Sequence, residues 1–341
     1  MNSSIIIISF GPSQLLSQIA LVRQLGRLHD VKGVVSYVAG HQRIKDFDRK
    51  ICEVFDFAYL GSLEPLREKV RELSTSGSSS VLQTVFLRNL VRRLRAWILS
   101  DCLTETVLGC ELVISYRANV VADRFLLHAL QPRQVLMVSD GFYMTMGNNV
   151  KNRVLANFLG AKDFFSAHPK LLYYPEFYSL QDNCGSKRIL QQTNLDWCYK
   201  RLAESYGGLD AFSGKPIVMI VWQNLYPKFI NDKQILFDFY QDILCEEARR
   251  SSVHILVKPH PRSNDAEIDE LISFCPNELQ GRVEVLRDRA LLVVPVEVFL
   301  SFCHIIRVGG MASTGIWASR NLAGAEVSLY SSKHFPARLQ E

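Results

Sequence analysis

A histidine held between two prolines is the residue of this sequence best suited to chemistry. His260 lies in the stretch VHILVKPHPR, residues 253–262, and the apolar positions at 253–257 predict a buried strand just before it. The prolines exclude both helix and sheet pairing at the histidine, so its imidazole is expected in a fixed position at the carboxyl end of that strand. Open α/β sheets bind their ligands at this end. Because Lys258 and Arg262 are cations, the expected ligand is an anion such as a nucleotide phosphate. A histidine without a role in a surface turn is the alternative.

A second candidate for phosphate binding follows the pair Gly309-Gly310. Ser313 and Thr314 come after these glycines and before a predicted helix at 316–320. Hydroxyl groups and free N–H groups at the start of a helix favour an anion. A serine that only caps the helix is the alternative, and the two roles are compatible. No lysine follows to complete a Walker A loop, and the first strand lacks a G-x-G-x-x-G turn, which argues against an oxidoreductase.

A candidate general base follows another predicted strand. The strand at 134–138 ends at Ser139-Asp140-Gly141, which presents a carboxylate at the carboxyl end of a strand. An ordinary Asp-Gly turn is the alternative. Asp46-Phe47-Asp48 is similar to a carboxylate pair that binds a metal–nucleotide complex, but it falls in a predicted helix, and no metal site is predicted.

Strands and helices alternate along the chain, which predicts an α/β protein built of two halves. In the first half, four isoleucines before Gly11-Pro12-Ser13 predict a strand, a tight turn and a helix whose N-terminus is open to a carboxylate or phosphate. The other elements predicted there are strands at 33–38, 111–116 and 134–138 and helices at 14–28, 42–54, 81–99 and 122–130.

The second half is predicted to begin after an irregular, aromatic-rich segment at 152–206. Gly207-Gly208 and the stretch at 213–216 are typical of a linker, so the expected domains are residues 1–206 and 207–341. The elements predicted beyond the linker are strands at 217–222, 253–257, 283–286, 305–308 and 326–330 and helices at 232–248, 265–274 and 316–320, with a further short helix opening at 295–297.

The composition is that of a soluble globular protein, with 48% apolar and 21% charged residues among 341. A net charge of +5 suits an anionic substrate and does not indicate nucleic-acid binding. The eight cysteines are scattered without a C-x-x-C pair, which favours a reducing compartment over a zinc site or disulfides. Since the N-terminus lacks a signal-peptide pattern and no apolar stretch reaches about 18 residues, the expected location is the cytoplasm.

The helix predicted at 81–99 carries four arginines together with apolar residues. A basic amphipathic helix can lie on an anionic membrane or follow a polyanionic acceptor, and a solvated helix face is the alternative. Peripheral membrane association would place the protein at the inner face of the membrane. The arginines are Arg88, Arg92, Arg93 and Arg95.

Six short motifs, taken together and in order, resemble those of the bacterial sialyltransferases and polysialyltransferases of the two-domain GT-B type. Each motif is short, so their order and spacing over nearly the whole chain carry the resemblance. They are Pro12-Ser13-Gln14-Leu15-Leu16, Ser139-Asp140-Gly141, Gln223, Lys258-Pro259-His260-Pro261, Pro295-Val296-Glu297 and Ser313-Thr314.

The resemblance implies two Rossmann-like domains that face a central cleft, the first on the acceptor side and the second binding a CMP-sugar. It implies transfer of sialic acid from CMP-sialic acid to a glycan, with inversion and without a metal ion or other cofactor. Asp140 is then the base that deprotonates the acceptor hydroxyl, and His260 stabilises the departing phosphate. The other implied contacts are Lys258, Arg262, Ser313 and Thr314 with the phosphate, Glu297, Gln223 and Pro261 with the nucleoside, and Ser13, Gln14, Ser139 and Gly141 in the donor–acceptor cleft.

The chain departs from the family pattern at Ser139, where the family has an acidic residue that supplies the base in some members. Either Asp140 serves as the base, or the base lies elsewhere, or catalysis is impaired. The alternatives are therefore a transferase that uses CMP-Kdo, a UDP-sugar transferase or epimerase on the same fold, and a non-catalytic nucleotide- or glycan-binding protein. Acceptor, linkage, processivity and oligomeric state are left open by the sequence.

Overall fold

Two parallel β-sheets, one in each half of the chain, organise the protein. The computed structural model divides it into two compact units, Met1–Leu195 and Asp196–Glu341. The residues that the structure describes are 4–36, 42–62, 109–115, 127, 130, 132–138, 170–175, 187–212, 214–223, 230, 232–279, 281–311, 316 and 325–330.

The first unit contains a seven-stranded sheet in which every neighbouring pair is parallel, in the order β3-β2-β1-β4-β5-β6-β7. A helix, α3 (Gln192–Glu204), follows the last strand. The strands are β1 (Ile5–Ser9), β2 (Val31–Ser36), β3 (Tyr59–Ser62), β4 (Leu112–Ser115), β5 (Gln134–Val138), β6 (Lys170–Pro175) and β7 (Lys187–Leu190), and the helices that precede α3 are α1 (Pro12–Gln24) and α2 (Gln42–Val54).

The core of this unit forms around β1. Its four isoleucines are all buried, as expected for a parallel strand that is covered on both faces. On α1, the eight consecutive residues 15–22 are all buried, so this part of the helix is covered on every side and not on one face alone. Pro12 opens α1, a position where its missing N–H group costs nothing.

The second unit contains a five-stranded parallel sheet in the order β10-β9-β8-β11-β12. A 3₁₀ helix, Gly207–Phe212, leads from α3 to this sheet. The strands are β8 (Ile217–Val221), β9 (His254–Lys258), β10 (Val283–Val285), β11 (Ile305–Gly310) and β12 (Glu326–Leu329), and the helices are α4 (Lys233–Arg250), α5 (Asp265–Ser273), α6 (Arg289–Leu292) and α7 (Val296–Phe302).

Both sheets follow the Rossmann strand order. The first strand of each unit pairs on one side with the second strand and on the other side with the fourth, which creates a switch point where the chain turns from one half of the sheet to the other. The predicted α/β class with two Rossmann-like units is therefore confirmed. The predicted cleft between the two units stays a prediction.

One predicted region is corrected by the structure. The segment at 152–206, expected to be irregular, contains β6, β7 and α3. The sequence of β6, KLLYYP, and that of β7, KRIL, show no regular alternation, and β7 lies at the sheet edge, where charged residues are common. The predicted helix at 81–99 and most of the predicted helices at 122–130 and 316–320 lie outside the described residues.

A second correction concerns Gly309-Gly310, which was expected to follow the strand predicted at 305–308 but which forms the end of β11. At Gly310 the backbone has φ of 146°, and an added Cβ would lie 2.9 Å from the carbonyl oxygen of Val221 on β8. Only glycine tolerates both the positive φ and this close approach of two strands.

Replacing Gly310 by alanine is therefore expected to lower the free energy of unfolding by about 1–3 kcal/mol, measured by urea denaturation. Gly207→Ala is the matched control, because an added Cβ there would meet no atom within 4 Å. A Gly310→Ala variant as stable as the control would contradict the close approach of β8 and β11.

Candidate nucleotide-binding site

His260 lies in a turn directly after β9, as the sequence predicted. Pro259 is buried and His260 is half-buried. The Nδ1 atom of His260 accepts a hydrogen bond of 3.1 Å from the backbone N–H of Arg262, and the backbone N–H of Ser263 donates to the His260 carbonyl at 2.8 Å. Because Nδ1 is an acceptor in this turn, the proton of the neutral ring is on Nε2. The imidazole can therefore donate from Nε2 to an anion.

The exit from the turn is fixed by the start of α5. The side chain of Asn264 accepts a hydrogen bond of 2.8 Å from the backbone N–H of Glu267, and the Glu267 carboxylate accepts one of 3.2 Å from the backbone N–H of Asn264. This reciprocal pair is a capping box. The histidine turn is consequently held between a strand on one side and a capped helix on the other.

The two cations that flank His260 differ in their surroundings. Arg262 is exposed. Lys258 is only 3% exposed, and its Nζ donates a hydrogen bond of 2.9 Å to the carbonyl oxygen of Leu292. Burial lowers the pKa of Lys258 to about 8, and the nearby charge of Glu297 acts in the opposite direction. The predicted contact of Lys258 with a phosphate stays a prediction.

Glu297 lies in the first turn of α7 and is 4% exposed. Pro295 precedes this helix as its N-cap residue, which sets the point where the helix begins. The helix also carries Phe299, whose ring centre lies 5.7 Å from Nζ of Lys258. The predicted motif Pro295-Val296-Glu297 thus packs against the residue that precedes the histidine turn.

Gln223 follows β8 and reaches across the switch point of the second sheet. Its backbone N–H donates a hydrogen bond of 2.9 Å to the hydroxyl oxygen of Tyr240, and its side-chain Nε2 donates one of 3.4 Å to the carbonyl of Met311, directly after β11. The Tyr240 hydroxyl in turn donates to the carbonyl of Val221 at 3.1 Å. Burial raises the pKa of Tyr240, so this hydroxyl keeps its proton over the physiological range.

Three predicted residues therefore lie at or just after the carboxyl ends of the adjacent strands β8 and β9, and a fourth, on α7, acts on Lys258 by its charge. The backbone N–H of Trp222 donates to the carbonyl of Lys258 at 2.9 Å, which joins the ends of β8 and β9. The other three strands of the second sheet also end at this edge, since all five run parallel. The four residues are Gln223, Lys258, His260 and Glu297.

Other predicted site residues lie elsewhere or outside the described residues. Ser13 and Gln14 lie in the first turn of α1, both half-buried, in the first unit. Strand β5 ends at Val138, as predicted, but the motif after it is not among the described residues, and the same holds for the hydroxyl pair after β11. The predicted residues outside the described part are Ser139, Asp140, Gly141, Ser313 and Thr314.

A cavity of about 660 Å³ lies in the second unit along β10, the edge strand of the sheet. Its walls include Phe212, Val285 and Leu291 and the segment 286–288 that follows β10. This volume is in the range of small-molecule sites. Phe212 also packs against Phe299 of α7, with ring centres 6.5 Å apart, so the cavity and the residues around Glu297 share a wall.

Within the described ranges, no group of three or more His, Cys, Asp or Glu side chains is placed to hold a metal ion. Six cysteines fall in this part of the chain, and all six are free thiols. Among the helices of the described part, none is both long and apolar enough to cross a membrane.

The first unit contains a buried carboxyl group, that of Asp48, whose burial was not predicted from the sequence. Asp48 of α2 is 0% exposed, and Ser36 at the end of β2 donates a hydrogen bond of 2.7 Å to its Oδ2. Asp48 shares the apolar face of the helix with Ile44, Phe47 and Ile51, and this helical spacing is a signal that could have revealed its burial. Burial raises the pKa of Asp48 to about 7 from an ordinary value of 3.8, while the hydroxyls of Ser36 and Ser9 act in the opposite direction.

Asp48→Asn is expected to change how stability depends on pH. The folded protein keeps the Asp48 proton up to about pH 7, whereas the unfolded chain loses it near pH 4, so the wild-type free energy of unfolding falls as pH rises through this window. An asparagine does not titrate. The stability of the variant relative to wild type should therefore increase by a few kcal/mol between pH 4 and pH 7.5, measured by urea denaturation at each pH.

The control is Asp46→Asn, which changes an exposed carboxylate of the same helix. It should leave the pH dependence of stability as in the wild type. If the free energies of unfolding of the wild type and of Asp48→Asn changed equally with pH over this range, Asp48 would not be a buried carboxyl group that stays protonated in the folded protein.

Two Rossmann-ordered parallel sheets in one chain, with polar site residues at the carboxyl end of the second, are the arrangement of two-domain glycosyltransferases of the GT-B type. Residues 203–330 match the model of the alpha-2,8-polysialyltransferase (POLYST) family. The match confirms the resemblance that the motifs predicted and identifies the chain as a glycosyltransferase similar to the sialyltransferases. It covers most of the second unit and includes the positions of Gln223, His260 and Glu297.

Several solved structures are similar in overall fold. A UDP-GlcNAc 2-epimerase of Methanocaldococcus jannaschii aligns with a TM-score of 0.46 and 12% identity over 95% of this chain and 82% of its own. A sialyltransferase of Photobacterium damsela aligns with a TM-score of 0.44 and 10% identity over 92% and 72% of the two chains. An E. coli heptosyltransferase aligns with a TM-score of 0.42 and 11% identity over 99% and 96%. At 10–12% identity, the substrates of those three proteins are not carried over to this chain. A comparison with curated proteins finds no match.

Proposed function

We propose that this protein transfers sialic acid from CMP-sialic acid to a hydroxyl group of a cell-surface glycan, of the lipooligosaccharide or capsule type, with inversion and without a metal ion. The observation that carries the proposal is the match of residues 203–330 to the polysialyltransferase family. The histidine turn supports it, because it lies within the matched residues and follows directly after β9, at the carboxyl edge of the sheet.

The proposed reaction is a single displacement at the anomeric carbon of sialic acid. The acceptor oxygen forms the new bond from the face opposite the phosphate, Asp140 takes the proton of the acceptor hydroxyl, and the bond to the CMP phosphate oxygen breaks. Positive charge develops on the sugar ring and negative charge on the departing phosphate. His260 stabilises that phosphate by donating from Nε2, and Arg262, Ser313 and Thr314 bind its other oxygens.

The remaining proposed contacts hold the two substrates. Glu297, Gln223 and Pro261 contact the nucleoside of the donor, and Ser13, Gln14, Ser139 and Gly141 line the path between donor and acceptor. The protein is proposed to act in the cytoplasm at the inner face of the membrane, with the segment Arg88–Arg95 on the lipid surface. One feature favours a second candidate, a non-catalytic nucleotide- or glycan-binding protein: Ser139 stands where the family has an acidic residue.

Release of CMP tests the proposal. The purified protein is mixed with CMP-sialic acid, CMP-Kdo or UDP-GlcNAc, each with and without a panel of glycan acceptors. Acceptor-dependent release of CMP from CMP-sialic acid is expected. Release of CMP from CMP-Kdo alone would show that the donor is CMP-Kdo and not CMP-sialic acid. Turnover of UDP-GlcNAc alone would overturn the assignment of a CMP-sugar donor. Thermal stabilisation by CMP without turnover of any donor would favour the non-catalytic protein.

A further inference from the structure

A buried ammonium group links two of the motifs at the candidate site. Lys258 is 3% exposed, although lysine is almost never fully buried without a partner. Burying a charge is costly unless it is paired and hydrogen-bonded. Apolar residues of similar length would fill the same space without this cost, so the charge itself needs an explanation.

The partners of Lys258 all lie on the segment that ends α6 and forms α7. Its Nζ donates to the carbonyl oxygen of Leu292, the last residue of α6, at 2.9 Å. The charge of Glu297 raises the pKa of the ammonium, against the larger lowering caused by burial. The ring centre of Phe299 lies 5.7 Å from Nζ. Each of these contacts therefore holds α6 or α7 to the end of β9.

The backbone of Lys258 is fixed at the same time. Its carbonyl oxygen accepts a hydrogen bond of 2.9 Å from Trp222, and Pro259 and His260 follow it directly. The side chain of Lys258 is hydrogen-bonded to Leu292 and attracted by the charge of Glu297, while its backbone continues directly into the histidine turn. Lys258 thus connects the residue before the histidine turn to the segment that ends α6 and forms α7.

We propose that Lys258 is a positioning residue that holds Glu297 and the histidine turn at the spacing of a bound nucleotide, in place of the direct phosphate contact expected from the sequence. This role rests on the proposed function, since it takes Glu297 as a contact of the nucleoside and His260 as a contact of the phosphate. In this role Lys258 affects the binding of both the nucleoside and the phosphate of the nucleotide. A lysine that touched the phosphate itself would affect one end only.

Comparison of CMP with cytidine separates the two roles. In Lys258→Met the dissociation constants of both ligands, measured by calorimetry, should rise by a similar factor of about ten or more, the loss of one polar interaction with a charged group. Lys233→Met is the matched control, because Lys233 pairs with Glu270 at the surface of the same unit. It should leave both constants unchanged.

Two further variants keep the inference testable if Lys258→Met folds poorly. Lys258→Arg retains a charge that does not titrate, and it should bind both ligands within a few-fold of the wild type at pH 7. Wild-type binding of cytidine should weaken as pH rises above about 8, where the ammonium loses its proton, whereas binding by Lys258→Arg should not. Glu297 is the charged side chain that acts on Lys258 from α7.

The outcomes distinguish this inference from the proposed function. Loss of CMP binding in Lys258→Met with unchanged cytidine binding would restore the direct phosphate contact and overturn the positioning role. Unchanged binding of both ligands would also overturn it. A wild-type protein that binds neither CMP nor cytidine would overturn the proposed donor, and this role with it.

Discussion

Replacing His260 by alanine is expected to lower the rate of sialic acid transfer by at least about a hundredfold at saturating donor, the range lost when a positioned proton donor is removed. The imidazole is held by Pro259, by the end of β9 and by the hydrogen bond from the Arg262 N–H to Nδ1. Because the ring is already held in this way, little conformational entropy is lost when Nε2 donates to the phosphate. The measurement is kcat for CMP release with a saturating acceptor.

His254→Ala is the matched control for this variant. His254 is the first residue of β9, at the opposite end of the strand, and its Nε2 lies 3.2 Å from the Glu284 carboxylate. Its replacement should change kcat by less than about threefold, about 0.6 kcal/mol. Turnover of His260→Ala at the rate of this control would remove His260 from the mechanism.

Replacing Glu247 by alanine is expected to cause the largest loss of stability, about 3–5 kcal/mol. Glu247 of α4 is 0% exposed. Its Oε2 lies 2.7 Å from Nη1 of Arg307 on β11, and its Oε1 accepts a hydrogen bond of 2.6 Å from the hydroxyl of Tyr330. Removing this carboxylate leaves part of the Arg307 guanidinium and the Tyr330 hydroxyl without their partner. The measurement is the free energy of unfolding from urea titration.

The neighbouring residue Glu246 provides the control for Glu247. It forms an ion pair of 2.6 Å with Arg250, with both side chains about 40% exposed, and such surface pairs contribute about 0–1 kcal/mol. Glu246→Ala should therefore be close to the wild type in stability. If Glu247→Ala and Glu246→Ala lowered the free energy of unfolding by the same small amount, the contacts of Glu247 with Arg307 and Tyr330 would contribute little to the packing of α4 against β11.

The histidine turn could be predicted from the sequence because its constraints are local. The two prolines around His260 and the apolar strand before them act within ten residues, and a parallel strand buried on both faces needs no alternation to be recognised. The boundaries of β5 and α2 were likewise predicted from local patterns, and the structure has them at the same residues.

What could not be predicted depends on contacts between distant residues. Lys258 has the sequence context of a phosphate-binding cation, and only the packing of α6 and α7 against β9 shows that its ammonium is turned inward to Leu292. The order of the strands is also non-local, since β8 pairs with β11, and the paired residues Ile217 and Ile305 lie 88 residues apart in the sequence. The short strands β6 and β7 lack any periodic signal and were missed for that reason.

The identity of the extended acceptor tests the central claim most directly. The protein is incubated with CMP-sialic acid and the acceptor that gives the fastest CMP release, and the acceptor is then analysed by mass spectrometry and NMR. The account predicts that the acceptor gains sialic acid with inverted anomeric configuration, in an amount equal to the CMP released. CMP release without an extended acceptor, or an extended acceptor with retained configuration, would contradict it.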